Sequence, residues 1–71
     1  MRRFELERLE DETGVSGTGA VAEGVEFYDG TVAMRWRTAT ASTAFYGSLA
    51  DVEAIHGHGG KTVIRILVEE A

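Results

Sequence analysis

The stretch Val21-Ala22-Glu23-Gly24-Val25-Glu26-Phe27-Tyr28-Asp29-Gly30-Thr31-Val32-Ala33-Met34-Arg35-Trp36 decides the fold. Val21, Val25 and Phe27 share one parity, and Val32, Met34 and Trp36 resume the alternation beyond Asp29-Gly30. A period of two marks strands with one buried face. An Asp-Gly pair between two such runs is a strong short-range hairpin signal, read here as a type I′ turn in which both central residues take positive φ. The hairpin places Arg35 and Arg37 on the face opposite Met34 and Trp36.

Upstream, Asp11-Glu12-Thr13-Gly14-Val15-Ser16-Gly17-Thr18-Gly19 gathers glycines and hydroxyl residues that support no regular element and reads as a loop. Before it, Phe4 and Leu6, with Arg8 in the same parity, alternate with Glu5 and Glu7 as in a half-buried strand. Downstream, Thr38-Ala39-Thr40-Ala41 connects to a short strand from Ser42 to Tyr46. The period then changes. Leu49, Val52, Ile55 and His56 recur at helical spacing, Ser48 is a natural N-cap with Asp51 three residues on, and Gly57 suits a left-handed C-cap. His56 falls in the last turn, where a protonated imidazole would meet the negative end of the helix dipole. Last, Thr62-Val63-Ile64-Arg65-Ile66-Leu67-Val68 is β-branched and apolar on both parities except at Arg65, the pattern of a central strand or of one whose second face meets a partner subunit. The expected class is α+β, a small, mostly antiparallel sheet with one helix in the order β-β-β-β-α-β, as a single domain over residues 1–71.

A chain of 71 residues has one thin core, since a domain of about 60 residues buries only about 60% of the surface its unfolded chain exposes. With no cysteine, neither disulfides nor a thiolate metal cluster can brace it. A homo-oligomer sharing apolar surface is the remaining remedy. The basic start Met1-Arg2-Arg3 runs directly into Phe4-Glu5-Leu6-Glu7 with no apolar core of a signal peptide, and no run reaches membrane-spanning length, so a cytoplasmic protein without membrane association is expected. Twelve acidic against seven basic residues give a net charge of −5, which disfavours general nucleic-acid binding.

Several residues invite a chemical reading. Gly57-His58-Gly59-Gly60-Lys61-Thr62 looks like a phosphate-binding loop, yet that motif needs glycine where Ile55 stands and a strand-to-helix order where this chain goes from helix to strand. What survives is a glycine-rich turn where His58 and Lys61 could hold one anion, set against a plain helix stop. His56 and His58 form a His-x-His pair, but a metal needs a third ligand that would have to come from a distant carboxylate such as Glu23, so neither a metal nor another cofactor is expected. No nucleophile and base stand together; Ser16, Ser42 and Ser48 read as loop, strand and cap, and an enzyme is not expected. Glu23 counts to the inward parity between Val21 and Val25, where it needs a donor such as Arg65 unless Gly24 marks a bulge that returns it to solvent. A carboxylate in a site would read ribose hydroxyls or an exocyclic amine. Arg35 and Arg37 can clamp phosphate bidentately or simply balance neighbouring glutamates.

The succession Thr13-Gly14-Val15-Ser16-Gly17-Thr18-Gly19, Val21-Ala22-Glu23-Gly24-Val25, Asp29-Gly30, Arg35-Trp36, Ser42-Thr43, Tyr46 and Ile55-His56-Gly57-His58-Gly59-Gly60-Lys61-Thr62 resembles a group of small, functionally unassigned proteins of tailed phages and prophage-bearing bacteria. The resemblance covers about positions 4 to 66 and carries over no catalytic residue. It implies a context in which short accessory proteins bind something of the host's. One expectation is a homo-oligomer that sequesters a small anionic nucleotide of host immunity, its site drawn from Ser16, Gly17, Thr18, Gly19, Glu23, Arg35, Arg37, His56, His58 and Lys61. The other is an interaction protein docking on a host protein through Glu5, Glu7, Glu10, Asp11 and Glu12.

Overall fold

The computed structural model describes residues 1–10 and 18–67. Strands β1 (Arg2–Arg8), β2 (Gly19–Glu26), β3 (Val32–Trp36) and β4 (Thr43–Tyr46) form an antiparallel meander. Helix α1 (Leu49–His56) then crosses one face of the sheet and touches both edge strands, and β5 (Thr62–Ile66) returns antiparallel to β1. The sheet order is β4-β3-β2-β1-β5, the small α+β architecture expected.

Register explains which face is buried. Residues directly opposite in neighbouring strands share a face, and the register lines up Leu6 with Ala22 and Ile64, Phe4 with Gly24, Gly24 with Met34 and Val32 with Tyr46. Phe4, Leu6, Ala22, Val32, Met34 and the helical Val52 form the core, with Trp36, Tyr46, Leu49 and Ile64 packed against it. Burying these side chains stabilises the fold at roughly 25 cal/mol per Å² of apolar surface removed from water.

The parity expected in β2 is reversed. Ala22 and Gly24 face the core, whereas Glu23 is exposed on the uncovered face and Phe27 keeps 38% of its surface. The cause is Phe4: a Cβ on Gly24 would lie 2.5 Å from its Cζ and 2.6 Å from the Ala33 carbonyl oxygen, so only glycine leaves room for the ring. The register does slip, but between Leu6 and Glu7, where Val21 is the extra residue, and not at Gly24. Glu23 is thus neither buried nor paired with Arg65, which binds Glu7.

The hairpin loop also differs from the type I′ expectation. Gly30 has φ +90°, while Asp29 does not enter the left-handed region. The Gly30 N–H donates to the Phe27 carbonyl at 2.9 Å and the Phe27 N–H to the Thr31 carbonyl at 2.8 Å. This is a type I turn followed by a left-handed glycine, the usual three-residue hairpin loop. The Asp29 carboxylate accepts from the Thr31 N–H at 2.9 Å and from its hydroxyl at 2.6 Å, which fixes the loop and lowers the carboxyl's pKa.

Ser48 caps α1 as expected, accepting from the Asp51 N–H at 3.1 Å. Ile55 is 58% exposed because Leu49, Val52 and His56 alone define the buried stripe. Gly57 is right-handed, at φ −68°. The left-handed residues come one step later, at His58, Gly59 and Gly60 with φ of 49°, 65° and 94°, so the chain enters β5 through a left-handed turn in which two of three positions are glycine. β5 is an edge strand, not a central one; Val63 and Ile64 are half-buried, and Arg65 and Ile66 are exposed.

Candidate functional site

The register brings the end of β1 and the start of β2 together, pairing Arg8 with Gly19, while the Arg37 N–H donates to the Val21 carbonyl at 2.9 Å and anchors the end of β3 beside them. Between them opens a cleft of about 280 Å³ lined by Arg8, Thr18, Ala20, Val21, Trp36, Arg37 and Thr38. It offers two guanidinium groups, two threonine hydroxyls and an indole. Arg37 lies 3.7 Å from a Glu5 carboxylate oxygen, a loose and exposed pair. Arg8 is half-buried and has no acidic partner among the described residues. In a chain of net charge −5, such an arginine stands out, because the low dielectric around it strengthens its attraction for any anion that enters.

His56 does not face this cleft as a ligand-binding group. Its ring packs edge-on against Trp36 with centroids 5.0 Å apart and against Tyr46 at 5.8 Å, and its Nε2 is 2.9 Å from the Tyr46 hydroxyl. Burial, then the positive charges of His58 and Arg8, lower its pKa. That shift works against the charged imidazole expected to complement the helix dipole, and the ring's contacts instead tie α1 to β3 and β4.

The other expected site residues fall in separate places. Glu23 and Arg35 are direct register neighbours on the uncovered face, in a shallow trough with Arg3, Gly24, Val25, Ala33 and Thr43; there Arg35 Nη1 donates to Thr43 Oγ1 at 2.9 Å. Arg37 is two residues further along the same face, about 7 Å away by strand geometry, so trough and cleft are neighbours. Thr18 lines the cleft and Gly19, with φ +96°, leads into β2 beside it. Ser16 and Gly17 lie outside the described residues. His58 and Lys61 sit at the same end of the sheet but across β1 from the cleft, where Arg8 pairs with Thr62 and the Leu9 N–H donates to the Lys61 carbonyl at 2.7 Å; beside them is a groove of about 460 Å³ lined by Glu53, Gly57, Gly59, Gly60, Thr62, Val63 and Ile64. Neither residue lines it, and the carboxylate of Glu53 sets it against an anion. Among the described residues no group of three or more histidine and carboxylate side chains is placed to hold a metal.

Arg8 and Thr38 were not singled out by the sequence. Arg8 did carry a signal: an arginine on the inward parity of a strand, behind Phe4 and Leu6, must emerge at the end of the buried layer or find a counter-charge. Thr38 sits in a run of small polar residues and carried none.

The chain is a small α+β sheet covered on one side only, with an arginine-lined cleft at one end of its central hairpin. Residues 1–68 match the Acb5 phage protein family, and the chain belongs to that family. It is accordingly a phage-associated accessory protein. No curated protein and no solved structure matches the chain significantly. Among the described residues no helix is long and apolar enough to cross a membrane.

Proposed function

We propose that this protein is a binding protein, not a catalyst, which captures a small anionic nucleotide of host immune signalling as a homo-oligomer in the host cytoplasm. The observation that carries the reading is Arg8, half-buried and without an acidic partner among the described residues, lining one cleft with Arg37, two threonine hydroxyls and the Trp36 indole. Guanidinium groups grip phosphate oxygens with charge-assisted, bidentate hydrogen bonds, and hydroxyls complete the shell. The indole supplies an apolar wall for a sugar or base. A ligand longer than the cleft would run along the uncovered face toward Arg35 and Glu23, where a carboxylate beside an arginine suits ribose hydroxyls or an exocyclic amine.

The alternative, docking on a host protein through an acidic face, draws less support. Of its residues, Asp11 and Glu12 lie outside the described residues, and Glu5 and Glu7 are paired with Arg37 and Arg65, so that this face presents both signs.

Native mass spectrometry of the purified protein, before and after addition of a panel of cyclic and ADP-ribose-type nucleotides, tests the reading. The expected result is a retained nucleotide mass that Arg8→Ala and Arg37→Ala each weaken by about 10- to 100-fold, the loss of a hydrogen bond to a charged group being about 1.5–3 kcal/mol. A mass that no nucleotide changes would remove the proposal and favour protein docking.

A further inference from the structure

The outer edge of β5 carries an interaction surface defined by its backbone. The Leu9 N–H donates to the Lys61 carbonyl at 2.7 Å and the Leu67 N–H to the Arg3 carbonyl at 2.9 Å. In an antiparallel pair the bonded positions alternate, so the odd-numbered residues of β5 bond β1 and the even-numbered ones turn their N–H and C=O outward. Thr62 confirms the alternation, for its outward N–H is taken by the Gly57 carbonyl at 3.1 Å. The N–H and C=O groups of Ile64 and Ile66 are left without a partner among the described residues.

Natural sheets guard such edges with proline, a bulge or an outward charge, because an unguarded edge is a template for another strand. Here the chain has no proline, and the β1–β5 register runs without a slip. The one charge on the strand, Arg65, is turned back onto Glu7 of β1. Ile66 is 43% exposed, and Ile64 is half-buried beside it.

We propose that a second copy of this chain pairs with this edge, β5 against β5 in antiparallel orientation, about a two-fold axis through Arg65. The free groups dictate both the partner and the register. Ile64 and Ile66 are placed symmetrically about Arg65, so each free N–H of one copy meets a free C=O of the other, with Ile64 opposite Ile66. Centring the axis on Ile64 instead would push the second strand onto Thr62, whose N–H is already used, and against the Gly57–Gly60 turn. At the axis each Arg65 arrives already neutralised by its own Glu7. The isoleucines of both copies then form one apolar row on the helix-bearing side, adding to a core that is thin in the single chain. The two sheets become one continuous sheet with their uncovered faces on the same side. The inference deepens the homo-oligomer of the preceding reading and rests on that part of it, but not on the ligand.

The test uses the full chain without any nucleotide, so its failure is distinct from a failure of nucleotide binding. Because the chain has no cysteine, Arg65→Cys introduces a single thiol. At a two-fold axis between non-bonded partners the facing Cα atoms lie about 4.5 Å apart, within disulfide range. Mild oxidation is expected to cross-link Arg65→Cys roughly tenfold or more faster than Val63→Cys, whose facing copies lie too far apart to profit from proximity. Ile66→Pro removes an N–H that β1 does not use, which an edge strand tolerates. Light scattering should therefore find the unsubstituted protein at twice its 7.7 kDa chain mass and Ile66→Pro at 7.7 kDa with its circular dichroism intact. Cross-linking of Arg65→Cys no faster than Val63→Cys, or an unsubstituted protein that stays at 7.7 kDa, overturns the proposal, and the cross-linking result decides alone if Ile66→Pro does not fold.

Discussion

The two faces of the sheet are built from adjacent residues of the same strands and obey different rules. On the helix side, Phe4, Leu6, Ala22 and Met34 are buried to within 1% of their surface. On the other side, Thr43, Arg35, Glu23, Glu5 and Arg65 follow one another across five strands in a single row by register. The first face is governed by volume: Gly24 is there because Phe4 is opposite. The second is governed by charge pairing, with Arg37 on Glu5 and Arg65 on Glu7, while Glu5 and Glu23 stand directly opposite each other. The difference teaches that in this chain stability and recognition are separable by parity, one residue apart.

Substitutions can break that separation or sharpen it. The largest effect is expected from Phe4→Ala, which leaves a cavity facing Gly24 and should cost about 3–5 kcal/mol by chemical denaturation, much of the stability of so small a domain. A loss below about 1 kcal/mol would mean that the covered face is not governed by volume. An intermediate effect is expected at His56, which joins the helix to the covered face. Its pKa is lower in the fold than the ordinary 6.5, so below about pH 6.5 the unfolded chain binds more protons than the native one and stability falls with acidification until the folded value is passed. Above that range the group adds no pH dependence. Melting temperatures measured between pH 7 and pH 5 should decline less steeply in His56→Gln than in the unsubstituted protein, and equal slopes would show that the ring titrates freely. The smallest effect is expected from Glu23→Gln on the uncovered face, within about 0.5 kcal/mol of the unsubstituted stability. A larger loss would show that this carboxylate is structural and would remove it from the recognition surface.

Much of the fold was legible in the sequence. Alternation either side of Asp29-Gly30 marked the hairpin, and Ser48 with the change of period at Leu49 marked the helix. What could not be read was physical information held elsewhere in the chain. The parity of β2 depends on Phe4, twenty residues away, whose ring demands the glycine at position 24; locally the valines point the other way. β5 reads as central, or as a strand whose second face meets a partner subunit, because it is apolar on both parities, yet it lies at the edge of this sheet. The site was legible only in fragments. Arg37, Thr18 and Gly19 meet at one end of the sheet, Arg35 and Glu23 lie beside them, and His58 and Lys61 stand at that end too but across β1 from the cleft, so the glycine-rich turn does not join its lining. Arg8, the residue that now distinguishes the cleft, was visible only as the last inward position of an ordinary strand.

The path of the chain through the sheet has a kinetic side. Every strand pairing but one joins neighbours in sequence, and the exception, β1 with β5, brings together residues such as Glu7 and Arg65. The meander from β1 to β4 assembles through connections of at most ten residues, whereas the last pairing must close almost the whole chain on itself. The entropy of such a closure grows only slowly with loop length, but it has to be met before any contact across it repays it. The single strand that completes the sheet therefore carries most of the topological cost of folding this small domain.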